Sequence, residues 1–228
     1  MCGIVGYIGK KDIDNILLEG LKRLEYRGYD SAGIAVVNNG KINATKAVGR
    51  ITELEKKITG DVGATVGISH TRWATHGEPT ENNAHPHLSN DGKLALVHNG
   101  IIENYQEIKG RLLLSGHKFI SETDTEVLAH LIGEKYKGNL LEAVQAALVE
   151  VRGSYGIAVV HADEPNRLVA ARMGSPLIFG VGEREYFVAS DVSAFLGHTN
   201  KVIYLNDGDI VDITDDSYKI YDIEQNLI

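Results

Sequence analysis

Cysteine is almost absent. Cys2 is the only one in 228 residues. That excludes an internal disulfide and fits a reducing, cytoplasmic setting. Positive charge is in deficit, with 23 Lys and Arg against 31 Asp and Glu and a net charge of −8 at pH 7. Such a balance argues against nucleic acid or an anionic membrane as a main partner. No apolar run approaches the roughly 20 residues of a transmembrane helix. The first apolar run, Gly3 to Gly9, has no basic residue before it, so no signal peptide is expected. Internal repeats, low-complexity segments and linkers are lacking too. What remains is 43% hydrophobic and 24% charged, an ordinary globular composition with length enough for a sizeable core.

The lone cysteine sits second in the chain, in Met1-Cys2-Gly3-Ile4-Val5-Gly6. Loss of the initiator Met would leave a thiol and a free α-amine on one residue. A thiolate is a strong nucleophile. An α-amine with a pKa of about 7.7–8.0 is partly neutral near pH 7 and accepts a proton. One residue would then supply nucleophile and base together. The plainer alternative is a small buried hydrophobe opening a strand.

The pattern downstream predicts many strands and a cluster of helices. Residues 2–9 read as a buried strand, and Asp12 caps a helix reaching about Tyr26, with Ile13, Ile16, Leu17, Leu21 and Leu24 on one face. Strands over 31–37 and 41–48 flank Asn38-Asn39-Gly40, a hairpin turn. A short helix is expected over 52–58, strands over 65–69 and 94–98, and helices over 105–114, 125–136 and 140–151. From Tyr155 onward seven short strands follow, with one helical turn near Val192. This mixture predicts an α+β fold, sheets covered by helices.

The stretch from His70 to His87 reads as a long loop holding four of the nine histidines and the only tryptophan. Long loops of this kind are usually functional or disordered, and this one is too rich in aromatic residues for disorder. Attack by Cys2 on a carboxamide would need oxyanion donors, which Asn99-Gly100 at a strand exit could provide. It would need a cation for a carboxylate, and Arg72 carries the fork suited to bidentate binding. It would need an anion for an ammonium, and Asp124 is a candidate, although a helix N-cap is an equal reading there. A segment from Arg72 to Thr80 could close over a ligand. His70, His76, His85, His87 and His98 raise a rival metal-hydrolase reading, but no H-E-x-x-H spacing occurs. No metal and no cofactor are expected.

Together these motifs resemble a known family. They are Cys2-Gly3-Ile4-Val5-Gly6, the run from Arg23 to Gly33, the His70 to His87 stretch, His98-Asn99-Gly100-Ile101-Ile102-Glu103-Asn104 and Ser121-Glu122-Thr123-Asp124-Thr125-Glu126. They are similar to the glutaminase domains of class II glutamine amidotransferases, and most closely to that of the glucosamine-6-phosphate synthases. The likeness covers essentially the whole chain. It implies a four-layer αββα N-terminal-nucleophile hydrolase sandwich with two antiparallel sheets, as a single domain over 1–228. It implies L-glutamine as substrate and L-glutamate as product, by way of a thioester on Cys2. Asn99 and Gly100 would form the oxyanion hole, Arg72 would hold the α-carboxylate and Asp124 the α-ammonium. Trp73, Thr75 and His76 would lie on the glutamine loop. Arg27 and Tyr29 would stand around the site, with His85 near it and without an assigned chemical role. The resemblance also implies a C-terminal isomerase portion that binds fructose 6-phosphate, in a homo-oligomeric enzyme. Nothing in this sequence resembles that portion, so an isolated or truncated glutaminase domain is expected. Amidophosphoribosyltransferase, asparagine synthetase and a silent glutamine-binding module are the other readings.

Overall fold

The computed structural model describes residues 2–60, 63–73, 78–222 and 224–228. Its elements, in chain order, are β1 (Gly3–Ile8), α1 (Ile13–Leu24), β2 (Ser31–Asn38), β3 (Lys41–Val48), α2 (Ile51–Glu55), β4 (Val66–Arg72) and β5 (His87–Leu88). Next come β6 (Leu94–Ile102), α3 (Tyr105–Leu114), α4 (Asp124–Lys135), α5 (Leu140–Leu148), β7 (Gly153–His161) and β8 (Glu164–Met173). The chain closes with β9 (Ile178–Val181), β10 (Tyr186–Ala189), β11 (Val202–Tyr204), β12 (Ile210–Thr214) and β13 (Tyr218–Tyr221). Short 3-10 turns occupy Glu25–Arg27 and Val192–Ala194.

Local chemistry accounts for the element ends. The Asp12 side chain accepts from the Asn15 backbone N–H and caps α1. Asn39 and Gly40, at φ of 51° and 69°, form the two-residue left-handed turn that a tight β2–β3 hairpin requires. At α4 the cap is Thr123, which accepts from Glu126 N–H at 3.3 Å. The buried Glu126 carboxylate reaches back to the N–H groups of Ile120 and Ser121, close to a capping box. Asp124 is thus the first helical residue and not the cap.

The strands assemble into two antiparallel sheets. One has seven strands in the order β11-β9-β10-β1-β4-β2-β3, the other six in the order β13-β12-β8-β7-β6-β5. Three apolar layers follow. One packs α1 and α2 on the first sheet, with Leu17, Leu21 and Leu54 against Val5 and Tyr7. Another packs α3, α4 and α5 on the second, with Leu112, Val127, Leu131 and Val144 against Leu94, Leu96 and Val159. The third lies between the sheets, where Ile4, Ile8, Val66 and Ile68 meet Ala95, Val97, Ala158 and Val160. The architecture is the four-layer αββα sandwich. Because both faces of each sheet are covered, the central strands are apolar at nearly every position.

Among the strands that outrun the sequence reading, β4 and β6 bear on function. β4 continues through His70 to Arg72, since its pairing persists with Thr71 opposite Gly3 and Arg72 opposite Ser31. The supposed loop therefore starts three residues later. β6 continues through Asn99 and Gly100, which pair with Gly156 and Tyr155. Gly100 has φ of 132°, and a Cβ there would lie 2.1 Å from the Ser154 carbonyl oxygen. Asn99-Gly100 is thus an in-sheet kink that only glycine accommodates, and not a turn.

Candidate active site

Strand parity decides which side chains meet. In β6, Leu94 and Leu96 face the helices while Ala95 and Val97 face the other sheet. Two residues on, His98 reaches Thr125 of α4, and Asn99 enters the space between the sheets. On β4, Val66 and Ile68 face inward between the sheets, and His70 and Arg72 continue that row. On β1, Ile4 and Ile8 do the same, and Cys2 lies two residues before Ile4. One cavity at the end of this layer is lined by Cys2, His70, Arg72, Trp73, His85, Asn99, Gly100, Tyr105 and Asp124, among others.

Cys2 is held through its backbone. Its carbonyl oxygen accepts from Asn99 Nδ2 at 3.0 Å and from Arg27 Nε at 3.3 Å. Its sulfur is left to the cavity side and accepts the Trp73 N–H at 3.2 Å. Arg27 is aimed by an ion pair with Asp191 at 3.3 Å, and Asp191 also accepts from the Tyr26 hydroxyl. Tyr29 stands outside the cavity lining. Its ring meets Trp73 edge-on at 5.7 Å, with the Arg50 guanidinium above it.

The two candidate charge partners lie in the same cavity although 52 residues apart in sequence. Arg72 is buried, and Nη1 reaches the Glu78 carbonyl at 3.5 Å. Burial lowers its pKa, opposed by the charges of Cys2, Asp30 and Asp124. One Asp124 oxygen accepts the Ile102 N–H at 2.7 Å, which ties the start of α4 to the end of β6. Thr75 and His76 lie outside the described residues.

Four buried histidines gather around the cavity, and three of them, His70, His85 and His98, line it. His70 stacks on His85 at 4.1 Å, and His85 meets His87 edge-on at 4.8 Å. His85 Nδ1 accepts the His98 N–H at 3.3 Å. Gly33 on β2 makes room for this segment, since a Cβ there would lie 2.1 Å from the His85 carbonyl oxygen. His98 contacts Thr125 Oγ1 through Nδ1 and the Ser154 carbonyl through Nε2, so Nε2 carries the proton. His87 Nε2 pairs with Thr123 Oγ1. Burial pushes all four rings toward the neutral form, His70 to about 3 and His85 and His87 well below the ordinary value. Among the described residues no group of three or more His, Cys, Asp or Glu side chains is gathered as a metal site requires.

Three residues in this arrangement were not singled out for their roles in the sequence. Asp191 steers Arg27 from a distant 3-10 turn. Asn83 is buried and donates to both the Glu78 carbonyl and Glu122 Oε2. It also accepts from Glu122 N–H, and so pins Glu78 to the approach of α4. In the sequence His70 stands out only as a possible metal ligand. Its parity on β4 was the signal that could have placed it beside Asn99.

A family model described as a glutamine amidotransferase domain matches residues 1–220. Glutamine–fructose-6-phosphate aminotransferase (isomerizing) of Clostridium tetani is 54% identical over 225 residues, covering 98% of this chain and 37% of that protein. The protein of that name from Aquifex aeolicus is also 54% identical, over 98% of this chain and 38% of its own length. The chain thus spans well under half the length of these curated relatives. Among solved structures, the glutamine phosphoribosylpyrophosphate amidotransferase of B. subtilis, complexed with ADP and GMP, superposes with a TM-score of 0.84 at 30% identity. That match covers 99% of this chain and 50% of the other. A glutamine aminotransferase class-II domain protein from Silicibacter pomeroyi gives 0.65 at 14% identity, over 97% and 99% of the two chains, a likeness of fold alone.

Proposed function

Because the chain belongs to the glutamine amidotransferase domain family, we propose that it hydrolyses the side-chain amide of L-glutamine to glutamate and ammonia. The observation that carries this is one cavity holding the Cys2 thiol, a cation in Arg72 and an anion in Asp124. Free glutamine presents a carboxylate and an ammonium at one end and the reacting amide at the other. A desolvated ion without a partner is costly, so a selective pocket pairs both charges. Arg72 takes the carboxylate, Asp124 the ammonium, and the amide carbon comes to Cys2 Sγ. Thiolate attack forms the C–S bond, and the C–N bond breaks as the leaving nitrogen takes a proton. Water then cleaves the thioester. With Met1 removed, the Cys2 amine relays these protons. Asn99 Nδ2 and Gly100 N–H receive the oxyanion, while Trp73 flanks the substrate from the cavity wall.

At 54% identity to aminotransferases of the fructose-6-phosphate branch against 30% to the phosphoribosylpyrophosphate enzyme, the first is the assignment we favour. In it this domain supplies ammonia within a longer cytoplasmic, homo-oligomeric glucosamine-6-phosphate synthase, whose C-terminal isomerase portion binds fructose 6-phosphate. Release of glutamate and ammonia from glutamine in a one-to-one ratio is the direct test of the glutaminase reading. A chain that binds glutamine without turnover is the silent module instead.

Two variants probe the roles. Asn99→Ala is expected to lower kcat by about 10²–10³, the usual cost of one oxyanion donor, with a much smaller change in KM. A rise in KM at constant kcat would make Asn99 a binding residue. Asp124→Asn removes a charge-assisted contact of about 1.5–3 kcal/mol, or roughly 10–100-fold in kcat/KM for glutamine. An analogue lacking the α-amine should lose far less. Equal losses for both substrates would mean that Asp124 only ties α4 to β6.

A further inference from the structure

We propose that His70 is a positioning residue for catalysis, acting through Asn99: its neutral imidazole donates from Nε2 to Asn99 Oδ1 and so locks the amide with Nδ2 toward Cys2. The inference rests on the oxyanion role of Asn99 given above. His70 Nε2 lies 2.9 Å from Asn99 Oδ1, and Asn99 Nδ2 lies 3.0 Å from the Cys2 carbonyl oxygen.

An asparagine amide has two possible orientations, and only its partners choose between them. In the orientation seen, Nδ2 gives one hydrogen to the Cys2 carbonyl and keeps a second for an oxyanion. The amide oxygen then faces His70, which must hold its proton on Nε2. In the reverse orientation, Oδ1 would oppose the Cys2 carbonyl oxygen, and acceptor would meet acceptor. His70 would also have to carry its proton on Nδ1, which is buried and without a hydrogen-bond partner among the described residues. A buried N–H without an acceptor is costly. The unpartnered Nδ1 lone pair is therefore tolerated, and it favours the tautomer that Asn99 needs. Burial keeps the ring neutral, its pKa pushed down to about 3, so this donor does not change with pH in the working range. His70 touches neither the cavity charges nor the sulfur by hydrogen bond. Its effect is on the fraction of molecules whose oxyanion donor points the right way.

The test is a double-mutant cycle on glutamine hydrolysis by this chain. His70→Phe keeps the stacking on His85 and loses the donor, while His70→Gln keeps a donor. His70→Phe should lower kcat by at least about tenfold, and by no more than the about 10²–10³ of losing the donor itself, with KM within about threefold. His70→Gln should recover most of that loss. In an Asn99→Ala background, His70→Phe should cost less than about threefold further, since the group it orients is gone. Equal losses in both backgrounds would overturn the proposal, as would His70→Gln and His70→Phe being equally impaired. If His70→Phe does not fold, His70→Leu takes its place in the cycle. Should Asn99→Ala itself retain full kcat, the oxyanion reading falls. If only the His70 variants retain it, the positioning role alone falls.

Discussion

Cys2→Ala is expected to reduce glutamine hydrolysis to the uncatalysed background while the fold stays intact. No other cysteine exists in the chain to substitute. The residue is anchored by its backbone carbonyl, which Asn99 and Arg27 hold whatever the side chain. The sulfur itself makes a 3.2 Å contact with Trp73 N–H and belongs to none of the three apolar layers. Stability should therefore change by about 0.5 kcal/mol or less, as at other positions away from the core. Cys2→Ser should be nearly as inactive, since a hydroxyl at the same place is a far weaker nucleophile near neutral pH. The check is glutamate release alongside thermal unfolding, with intact mass on the same sample to establish whether Met1 is present. Hydrolysis by Cys2→Ala within tenfold of the parent chain would falsify the thioester mechanism.

Acid should weaken the fold of this protein well above the pH at which carboxylates titrate. His70, His85 and His87 are buried, and burial holds each ring neutral far below its ordinary pKa. Near neutral pH both the folded and unfolded chains keep these rings unprotonated, and the effect vanishes. Below about pH 6.5 the unfolded chain takes up protons that the folded chain refuses, so stability falls as pH falls. For His70, pushed down to about 3, the cost is about 1.36 kcal/mol per pH unit, hence about 2 kcal/mol between pH 6.5 and 5. His85 and His87, also held neutral by burial, push stability in the same direction. His98 and His130, the latter pushed down to about 4, act in the same direction. Carboxylates lowered in the fold, such as Asp91 and Asp191, contribute mainly below this window. Urea unfolding across the range should give a slope of more than one proton. A slope below one proton would show that the histidine layer opens to water before global unfolding.

Much of the architecture was legible in the sequence, for local reasons. Asp12 ahead of a 3.6-period apolar stripe forecast α1, Asn39-Gly40 forecast the β2–β3 hairpin, and alternation forecast most strands after Tyr155. Those signals need only neighbouring residues. Where the strands end was not legible, because a ladder stops when its partner does. β4 and β6 run on through His70–Arg72 and Asn99–Gly100 on the strength of pairing with β1, β2 and β7. Thr123, and not Asp124, took the cap of α4, which left the Asp124 carboxylate to the cavity and the Ile102 amide.

The sequence by itself determined the chemistry available: one thiol, an Asn-Gly pair, a fork-shaped cation and a short acid, in motifs shared with the amidotransferases. It could not determine which of those groups meet. Both faces of the central strands are apolar, so the pattern of hydrophobic residues does not tell the inter-sheet face from the helix-facing one. Only the stacking of the two sheets sends Cys2, His70, Arg72 and Asn99 into one layer and His98 into the other. The physical reason is the two-residue period of a strand: a residue's face is inherited from its neighbours two positions away, and that face has a destination only once the second sheet is in place.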